Sequence, residues 1–399
     1  MSPDPPNPIH RRVDAVAAPR SGPLPIDWLL LLAVLALVAC SMVALGEATA
    51  NDVEGDPRYY VYRQGAYALI GLVLMALLTR MDYTRLRELK YGFYAGMIGL
   101  IVLVIAVGST TRGSRRAFSF PFFSFQPSEL GKLLLILALS AFVVDRVRRL
   151  GDRATTVRVM VIALVPALLV MLQPDLGTGL VYVTIGLATL FVVGTGWRHF
   201  AVMAAIAAAI AAFALTVAPA AGVQLLQPYQ VDRLTAFLDP SRNPAKEGYQ
   251  QSQSKIAIGA GQKTGRGEGR ATQTQLNFLP EHHTDFIFSV VGERYGFMGA
   301  ALVLSLYALL IWRSLRILTL AKNLYGALLA GGIVAMLMFQ IFVNIGMTVG
   351  IMPITGVPLP LMSYGGSSTL MTFLALGILQ SIYVQARIAS ASKGRVFSY

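Results

Sequence analysis

Polar, ionisable residues stand at the edges of strongly apolar runs in this chain. Residues 276–299 read LNFLPEHHTDFIFSVVGERYGFMG, so an apolar run is entered through five polar residues, EHHTD. A carboxylate at such an edge is partly desolvated, which favours its protonated form and makes it a stronger base. Asp285 is therefore a candidate general base. The alternative is a helix N-cap, because Thr284 or Asp285 directly precedes FIFSVV.

Glu129 and Lys132 lie three residues apart in QPSELGK, at the start of another apolar run. On a helix this spacing places both side chains on one face, close enough to pair. A charge at mid-membrane costs roughly 2.5–3.5 kcal/mol on insertion scales, so these charges need a reason. Two interpretations stay open: a structural ion pair that fixes helix packing, or a Lys132 cation that binds an anionic ligand while Glu129 orients it.

Asp175 follows a proline in LQPDLGTG and precedes an apolar helix. At this position a carboxylate accepts hydrogen bonds from the first backbone N–H groups of the helix. The residues alone favour an N-cap, and a catalytic role needs support from elsewhere.

Glu293 and Arg294 are adjacent charges inside the run that follows Asp285. Glu293 lies about 80° round a helix from Asp285, so the two carboxylates do not share a face. We expect Glu293 and Arg294 to act as paired intramembrane charges.

The polar stretch 220–284 is rich in glycine between residues 259 and 269. Glycine lets backbone N–H groups approach a phosphate closely, and Arg or Lys can neutralise one. The alternative is a flexible loop with solvated charges. The pattern is not G-x-x-x-x-G-K-[ST], so no nucleotide site is predicted.

The chain that positions these groups is 55% hydrophobic and only 13% charged, against about 25% charged in soluble proteins. Its apolar residues form ten blocks long enough to cross a bilayer, and helices are the expected form. A cleaved signal sequence is the alternative for the first block, and the many spans that follow favour an uncleaved one. The blocks fall at about 26–46, 62–79, 91–108, 129–144, 158–172, 177–196, 200–219, 285–312, 325–349 and 365–386.

Several function classes are disfavoured. The net charge of +13 reflects basic loops, and no RNA- or DNA-binding pattern is visible. One cysteine, Cys40, excludes an internal disulfide and a cysteine-based metal site. Histidines 199, 282 and 283 offer no H-x-x-x-H spacing.

The distribution of Lys and Arg predicts the orientation. Most of the basic residues outside the long loop lie in the tails and the even-numbered connections, which makes both termini cytoplasmic. We therefore predict a disordered cytoplasmic tail at 1–25, a ten-span domain at 26–388 with a large extracytoplasmic loop at 220–284, and a cytoplasmic tail at 389–399. The polar, Gly- and Pro-rich connections then all face outward.

Taken in order, these motifs resemble one family. QPSELGK, QPDLGTG, FLDP, GYQQSQSKIAIGAG, TQTQLNFLPEHHTDFIF and PLPLMSYGGSS resemble the SEDS proteins (shape, elongation, division and sporulation) over roughly residues 26–388. QSKIAIG, TQTQLNFLPE and NIGMTVGIMPITGVPLP look more like the RodA branch than the FtsW branch. The run GRGEGRA and the Pro-rich N-terminal stretch depart from the family pattern.

The resemblance implies an all-α SEDS-type fold and a peptidoglycan glycosyltransferase that polymerises lipid II on the outer face of the bacterial cytoplasmic membrane during elongation and shape maintenance. The family's essential aspartate falls on Asp285, its paired Glu and Lys on Glu129 and Lys132, and its Q-P-D aspartate on Asp175. The implied partners are a class B penicillin-binding protein and the membrane proteins of the elongation machinery.

The implied chemistry suits these residues. Asp285 would take a proton from the acceptor's 4-hydroxyl, and the leaving polyprenyl diphosphate needs cations. Lys132, Arg233 or Lys255 could supply them, alone or with Mg²⁺ or Mn²⁺. The resemblance implies inversion in a single displacement. A lipid II flippase and a non-catalytic scaffold for the transpeptidase are the alternatives.

Overall fold

The computed structural model describes residues 24–49, 52, 56–111, 114–120, 122–147, 152–220, 230–231, 233, 237, 247–267, 270–275, 278–279 and 281–396. The predicted N-terminal tail lies outside the described residues up to residue 23, as does much of the 220–284 loop. Gly269, the last glycine of the run between residues 259 and 269, also lies outside them.

Ten helices in the described ranges are long and apolar enough to cross a membrane, which confirms the ten predicted spans. Together with the short connecting helices they make the chain an all-α integral membrane protein. The helices are α1 (Trp28–Ala48), α2 (Tyr59–Arg80), α3 (Lys90–Val107), α4 (Pro127–Val144), α5 (Arg153–Met171), α6 (Leu176–Val193), α7 (Trp197–Ala212), α8 (Ala218–Ala220), α9 (Glu247–Gly261), α10 (Thr272–Gln275), α11 (Ile287–Leu320), α12 (Leu324–Val349) and α13 (Gly366–Val396).

The remaining elements are short. A 3₁₀ helix, Tyr83–Leu89, leads directly into α3, and a π-helical stretch, Phe213–Val217, continues α7. Strands β1 (Ser109–Thr111), β2 (Ser114–Ser119) and β3 (Ser124–Phe125) form an antiparallel sheet in the order β1-β2-β3 between α3 and α4. The last helix runs through Val396, so residues 389–396 continue α13.

Helix α4 lies at the centre of the bundle, where it contacts α3, α5, α6, α12 and α13. Most of its residues are buried, including both of its charged ones. By contrast, no residue of α7 is buried. Because the hydrophobic effect does not act between apolar helices in lipid, close packing and interhelical hydrogen bonds are expected to hold such a bundle together.

The spans are joined at one end by the connections 49–58, 108–126, 172–175 and 350–365, together with the segment 221–286 that leads into α11. We call this the site end of the bundle, because Glu129, Asp175 and Asp285 all lie there. Helix α11 also enters the bundle here, and it is interrupted at Gly296, where φ is +62°.

The interruption of α11 is filled by the segment that follows α9. The backbone N–H groups of Phe297 and Met298 donate to the carbonyls of Gln262 and Lys263, at 2.8 and 3.1 Å. A Cβ on Gly265 would overlap the Arg294 carbonyl, so this glycine is needed for the close approach of two backbones. At Gly265 the glycine serves packing, and a phosphate-binding role for the other glycines of the run stays a prediction.

Candidate functional site

Asp285 lies in the turn that precedes α11, and its side chain is half-buried. The N-cap of α11 is Phe286, which makes no side-chain cap hydrogen bond. The Thr284 hydroxyl donates instead to the carboxylate of Glu281 at 2.8 Å. The N-cap is therefore neither Thr284 nor Asp285, the two residues that the sequence offers for it.

The turn that carries Asp285 is fixed by hydrogen bonds to its backbone. The Asn344 side-chain amide donates both to the Asp285 carbonyl at 2.9 Å and to the Val357 carbonyl at 2.8 Å. The Ser363 hydroxyl donates to the Thr284 carbonyl at 2.6 Å, and the Tyr364 N–H donates to the His283 carbonyl at 2.9 Å. The turn is thus held against the connection 350–365 by donors from three residues.

The same connection lies beside the predicted cations. The Arg233 guanidinium donates to the Thr355 carbonyl at 3.3 Å. The exposed Lys255 side chain lies against Gly350, and the Asp285 carboxylate is 3.5 Å from the position that a Cβ on Gly356 would take. The structure therefore places Asp285, Arg233 and Lys255 along one segment.

Asp175 caps α6, as the sequence predicts. Its Oδ1 accepts from the Thr178 N–H at 3.0 Å, and its Oδ2 accepts from the Gln126 side-chain amide at 3.2 Å. The adjacent Gly177 packs directly on the connection 350–365, because a Cβ there would lie 2.6 Å from the Thr355 carbonyl oxygen. The N-terminus of α6 therefore touches the connection that also contacts Asp285.

Glu129 and Lys132 form the predicted ion pair, with Lys132 Nζ donating to Glu129 Oε1 at 2.7 Å. The two side chains are only 4% and 3% exposed, so each charge depends on the other. The Tyr182 hydroxyl donates to the Ser128 carbonyl at 3.0 Å and joins α6 to this first turn of α4. A role for Lys132 in anion binding stays a prediction.

The predicted pairing of Glu293 with Arg294 is wrong. Consecutive helix residues point about 100° apart, so their side chains meet different neighbours. The Glu293 carboxylate accepts from the backbone N–H groups of Gln273 and Thr274 and from the Thr274 hydroxyl. Arg294 instead donates to the carboxylate and the backbone carbonyl of Glu47, at the end of α1.

Tyr364 lies among other rings in the connection 350–365. Its ring centroid is 4.8 Å from that of Tyr60, 6.0 Å from that of His283 and 6.4 Å from that of Tyr67. Burial raises the pKa of the Tyr364 phenol well above its ordinary value, so the group stays neutral. The Tyr364 phenol therefore supplies shape and hydrogen bonding here and no charge.

One cluster at the site end was not predicted. Asp52, His282 and His283 bring one ligating atom each to within 4.8 Å of one another. The spacing of the histidines does not predict it, because Asp52 lies 230 positions before His282 in the chain. Two imidazoles and one carboxylate do not fit Mg²⁺, which prefers oxygen ligands, and they suit a Zn²⁺-like ion better.

Comparisons with known proteins agree with this architecture. The sequence profile of the family described as "Cell cycle protein", which covers FtsW, RodA and SpoVE, matches residues 25–388. The chain is 36% identical to "Peptidoglycan glycosyltransferase MrdB" of Escherichia coli (strain K12), over 92% of this chain and 96% of that protein. It is 38% identical to "Probable peptidoglycan glycosyltransferase FtsW" of Thioalkalivibrio sulfidiphilus, over 90% and 89%.

Solved structures are similar over nearly the same range. One, described as "Structural coordination of polymerization and crosslinking by a peptidoglycan synthase complex", has a TM-score of 0.76 and 34% identity, and covers 91% of this chain and 99% of that one. The rod shape determining protein RodA of Thermus thermophilus has a TM-score of 0.64 and 31% identity, over 91% and 97%. With its ten spans and the ordered motifs at their site end, this chain belongs to the SEDS family of FtsW, RodA and SpoVE.

Proposed function

We propose that this chain is a peptidoglycan glycosyltransferase that polymerises lipid II into glycan strands, with Asp285 as the general base. The observation that carries the proposal is the placement of Asp285. Its carboxylate is half-buried at an apolar edge, the N-cap of α11 is a different residue, and its turn is anchored to the connection that Arg233 and Lys255 also contact. A base beside cations is the arrangement that this transfer requires.

The reaction joins two glycan units. The Asp285 carboxylate takes the proton of the acceptor's 4-hydroxyl as that oxygen forms a bond to the donor's anomeric carbon. The bond from the anomeric carbon to the diphosphate oxygen breaks, and the electron pair leaves with the polyprenyl diphosphate. Arg233 and Lys255 would stabilise the charge that develops on the diphosphate, and the anomeric configuration would invert.

Lys132 has a different role in this proposal. It is buried and paired with Glu129 at 2.7 Å, so its charge is already balanced within α4. We assign the pair to fixing the first turn of α4 beside Asp175, which the Gln126 amide reaches at 3.2 Å. The pair thereby shapes the wall of the site.

The site end faces the outside of the bacterial cytoplasmic membrane in this proposal, and both termini face the cytoplasm. The supporting observation is the excess of Lys and Arg in the even-numbered connections and the tails. Lipid-linked substrates explain why the enzyme is built into a bilayer, since their polyprenyl chains stay in the membrane while the sugars react at its surface.

The proposed partner is a class B penicillin-binding protein, acting with the other membrane proteins of the elongation machinery. Support comes from the solved neighbour, which belongs to a complex that coordinates polymerisation with crosslinking. The RodA-like motifs favour cell elongation and shape maintenance over division.

Polymerisation of purified lipid II by the detergent-solubilised chain tests the function, with and without its cognate partner. Wild type should form long glycan strands. Asp285→Asn should lose about 10²–10⁴-fold in rate, the usual contribution of a general base. Glu88→Gln is the matched control, because it neutralises an exposed carboxylate at the opposite end of the bundle and should keep full activity.

The alternatives make different predictions in the same assay. A scaffold would support synthesis by its partner equally well with Asp285→Asn. A flippase would form no strands, even with the partner and divalent ions present, and would move labelled lipid II across proteoliposomes. Equal activity of wild type and a folded Asp285→Asn would remove Asp285 as the base.

A further inference from the structure

The cluster of Asp52, His282 and His283 lies outside the proposed transfer chemistry. Asp52 belongs to the connection between α1 and α2, and the two histidines belong to the turn before α11. Asp52 Oδ2 is 3.1 Å from His282 Nε2 and 3.9 Å from His283 Nδ1. Among the described residues, the ion-pair contacts of Asp52 are both with imidazole rings.

The orientation of His282 is set by its other ring nitrogen. His282 Nδ1 lies 2.8 Å from the Leu279 carbonyl oxygen, which can only accept, so Nδ1 carries the hydrogen. In the neutral ring, Nε2 then presents a lone pair to the Asp52 carboxylate. Two acceptors at 3.1 Å need a positive species between them, either a proton or a metal ion.

Burial strengthens this requirement. The His282 side chain is 3% exposed, and those of Asp52 and His283 are 11% and 13% exposed. A carboxylate removed from water needs a compensating charge. A backbone carbonyl behind a ligating imidazole is also the outer-shell arrangement typical of protein metal sites, because it fixes the tautomer and the ring plane.

Neighbouring rings hold the second histidine in place. The His283 ring lies 4.8 Å from the Tyr60 ring and 5.2 Å from the His282 ring, measured between centroids. Its backbone carbonyl is fixed by the Tyr364 N–H at 2.9 Å. Both imidazoles are therefore positioned by contacts that do not depend on a bound ion.

We propose that Asp52, His282 and His283 form a binding site for a divalent transition-metal ion of the Zn²⁺ type, which ties the α1–α2 connection to the turn that carries Asp285. Two nitrogens and one oxygen suit Zn²⁺ or Co²⁺. Bonds of about 2.0–2.2 Å in tetrahedral geometry separate ligating atoms by roughly 3.3 Å. The Asp52 oxygen lies 3.1 and 3.9 Å from the two imidazole nitrogens, and all three ligating atoms lie within 4.8 Å of one another, so binding would draw the two imidazoles together by up to about 1.5 Å. Water would complete the coordination.

Metal binding is measured directly, on the full chain purified with a histidine-free affinity tag. After a wash with chelator, one equivalent of Zn²⁺ is added, unbound ion is removed, and retained zinc is counted by mass spectrometry. Wild type should retain about one ion, and excess Mg²⁺ should not displace it. Its thermal midpoint should rise with Zn²⁺, because the ion binds the folded state.

The variants Asp52→Asn, His282→Gln and His283→Gln should each weaken Zn²⁺ binding by more than the 10- to 100-fold that loss of an outer-shell partner typically causes. His199→Gln, a histidine at the start of α7, is the matched control and should bind as wild type does. Equal zinc retention by wild type and a folded Asp52→Asn would overturn the site.

A measurement on wild type alone covers the case in which the variants fail to fold. Co²⁺ bound by two imidazoles and one carboxylate in a tetrahedral site gives an intense visible absorption that hydrated Co²⁺ lacks. Absence of this band at one equivalent would overturn the site. These readouts need no lipid II, so their outcome is independent of the proposed transferase activity.

Discussion

Arg294 and Glu47 join the first span to the eighth across 247 residues of sequence, with Arg294 Nη1 donating to Glu47 Oε2 at 3.0 Å. The contact is asymmetric, since the side chain of Arg294 is 3% exposed and that of Glu47 is 32% exposed. It lies two residues before the interruption of α11 at Gly296. The end of α1 is thereby fixed to the part of α11 that enters the site end.

The asymmetry predicts unequal effects of removing either partner. Glu47→Gln leaves a buried guanidinium without its counter-charge and should destabilise the protein by about 3 kcal/mol, the lower range for breaking a buried pair. Arg294→Met replaces the buried charge with apolar volume, while the Glu47 carboxylate can hydrate, so the loss should be under about 1.5 kcal/mol. Thermal unfolding of both variants in one detergent shows which variant is less stable. A larger loss of stability for Arg294→Met than for Glu47→Gln would contradict the burial asymmetry of the pair.

Replacing the Glu293 carboxylate is expected to destabilise the structure locally, around α10. Its buried carboxylate accepts from Gln273 N at 2.9 Å, Thr274 N at 3.0 Å and Thr274 Oγ1 at 2.6 Å. Glu293→Gln offers one acceptor oxygen and places an NH₂ against the remaining donors, which costs about 1–3 kcal/mol for each unsatisfied group. Hydrogen exchange should accelerate in α10, while α12 keeps its protection. Uniform acceleration throughout the bundle would show that Glu293 supports global folding instead.

Two glycines form a matched pair for the connection 350–365. Gly177→Ala would place a Cβ 2.5 Å from Val357 Cγ2 and 2.6 Å from the Thr355 oxygen, so the connection must shift. Because Asp285 is anchored to it, polymerisation should fall at least about tenfold, as small displacements of reacting groups are costly. Gly259→Ala, in α9, meets nothing within 4 Å and should stabilise that helix by up to about 1 kcal/mol without loss of activity. Comparing the glycan strands that the two variants form from lipid II in the same assay tests both expectations.

The sequence predicted features that depend on neighbouring residues. The ten spans follow from composition within about twenty residues. The Glu129–Lys132 pair and the Asp175 cap follow from spacings of three residues, which helix geometry translates directly into contacts.

Features that join distant parts of the chain were missed. Glu293 and Arg294 are adjacent in sequence, yet one bonds to α10 and the other to α1, because the helix turns their side chains apart. Asp52 contacts His282 only because the end of α1 and the starts of α2 and α11 all lie at the site end. Arg313 in α11 likewise pairs with Asp27, which lies just before α1, at the opposite end of the bundle. A rule based on the spacing of residues within a short stretch of sequence cannot pair residues that lie so far apart.

Asn344 uses one side-chain amide to hold two carbonyls, that of Asp285 and that of Val357. The turn with the proposed base and the connection 350–365 therefore cannot shift independently of each other. Val357 is buried, so anything that displaces the connection 350–365 around it would also move the Asp285 turn without contacting Asp285. Control of the reaction from a distance would then need no rearrangement of the spans, since a small displacement at this single amide would reach the proposed proton acceptor.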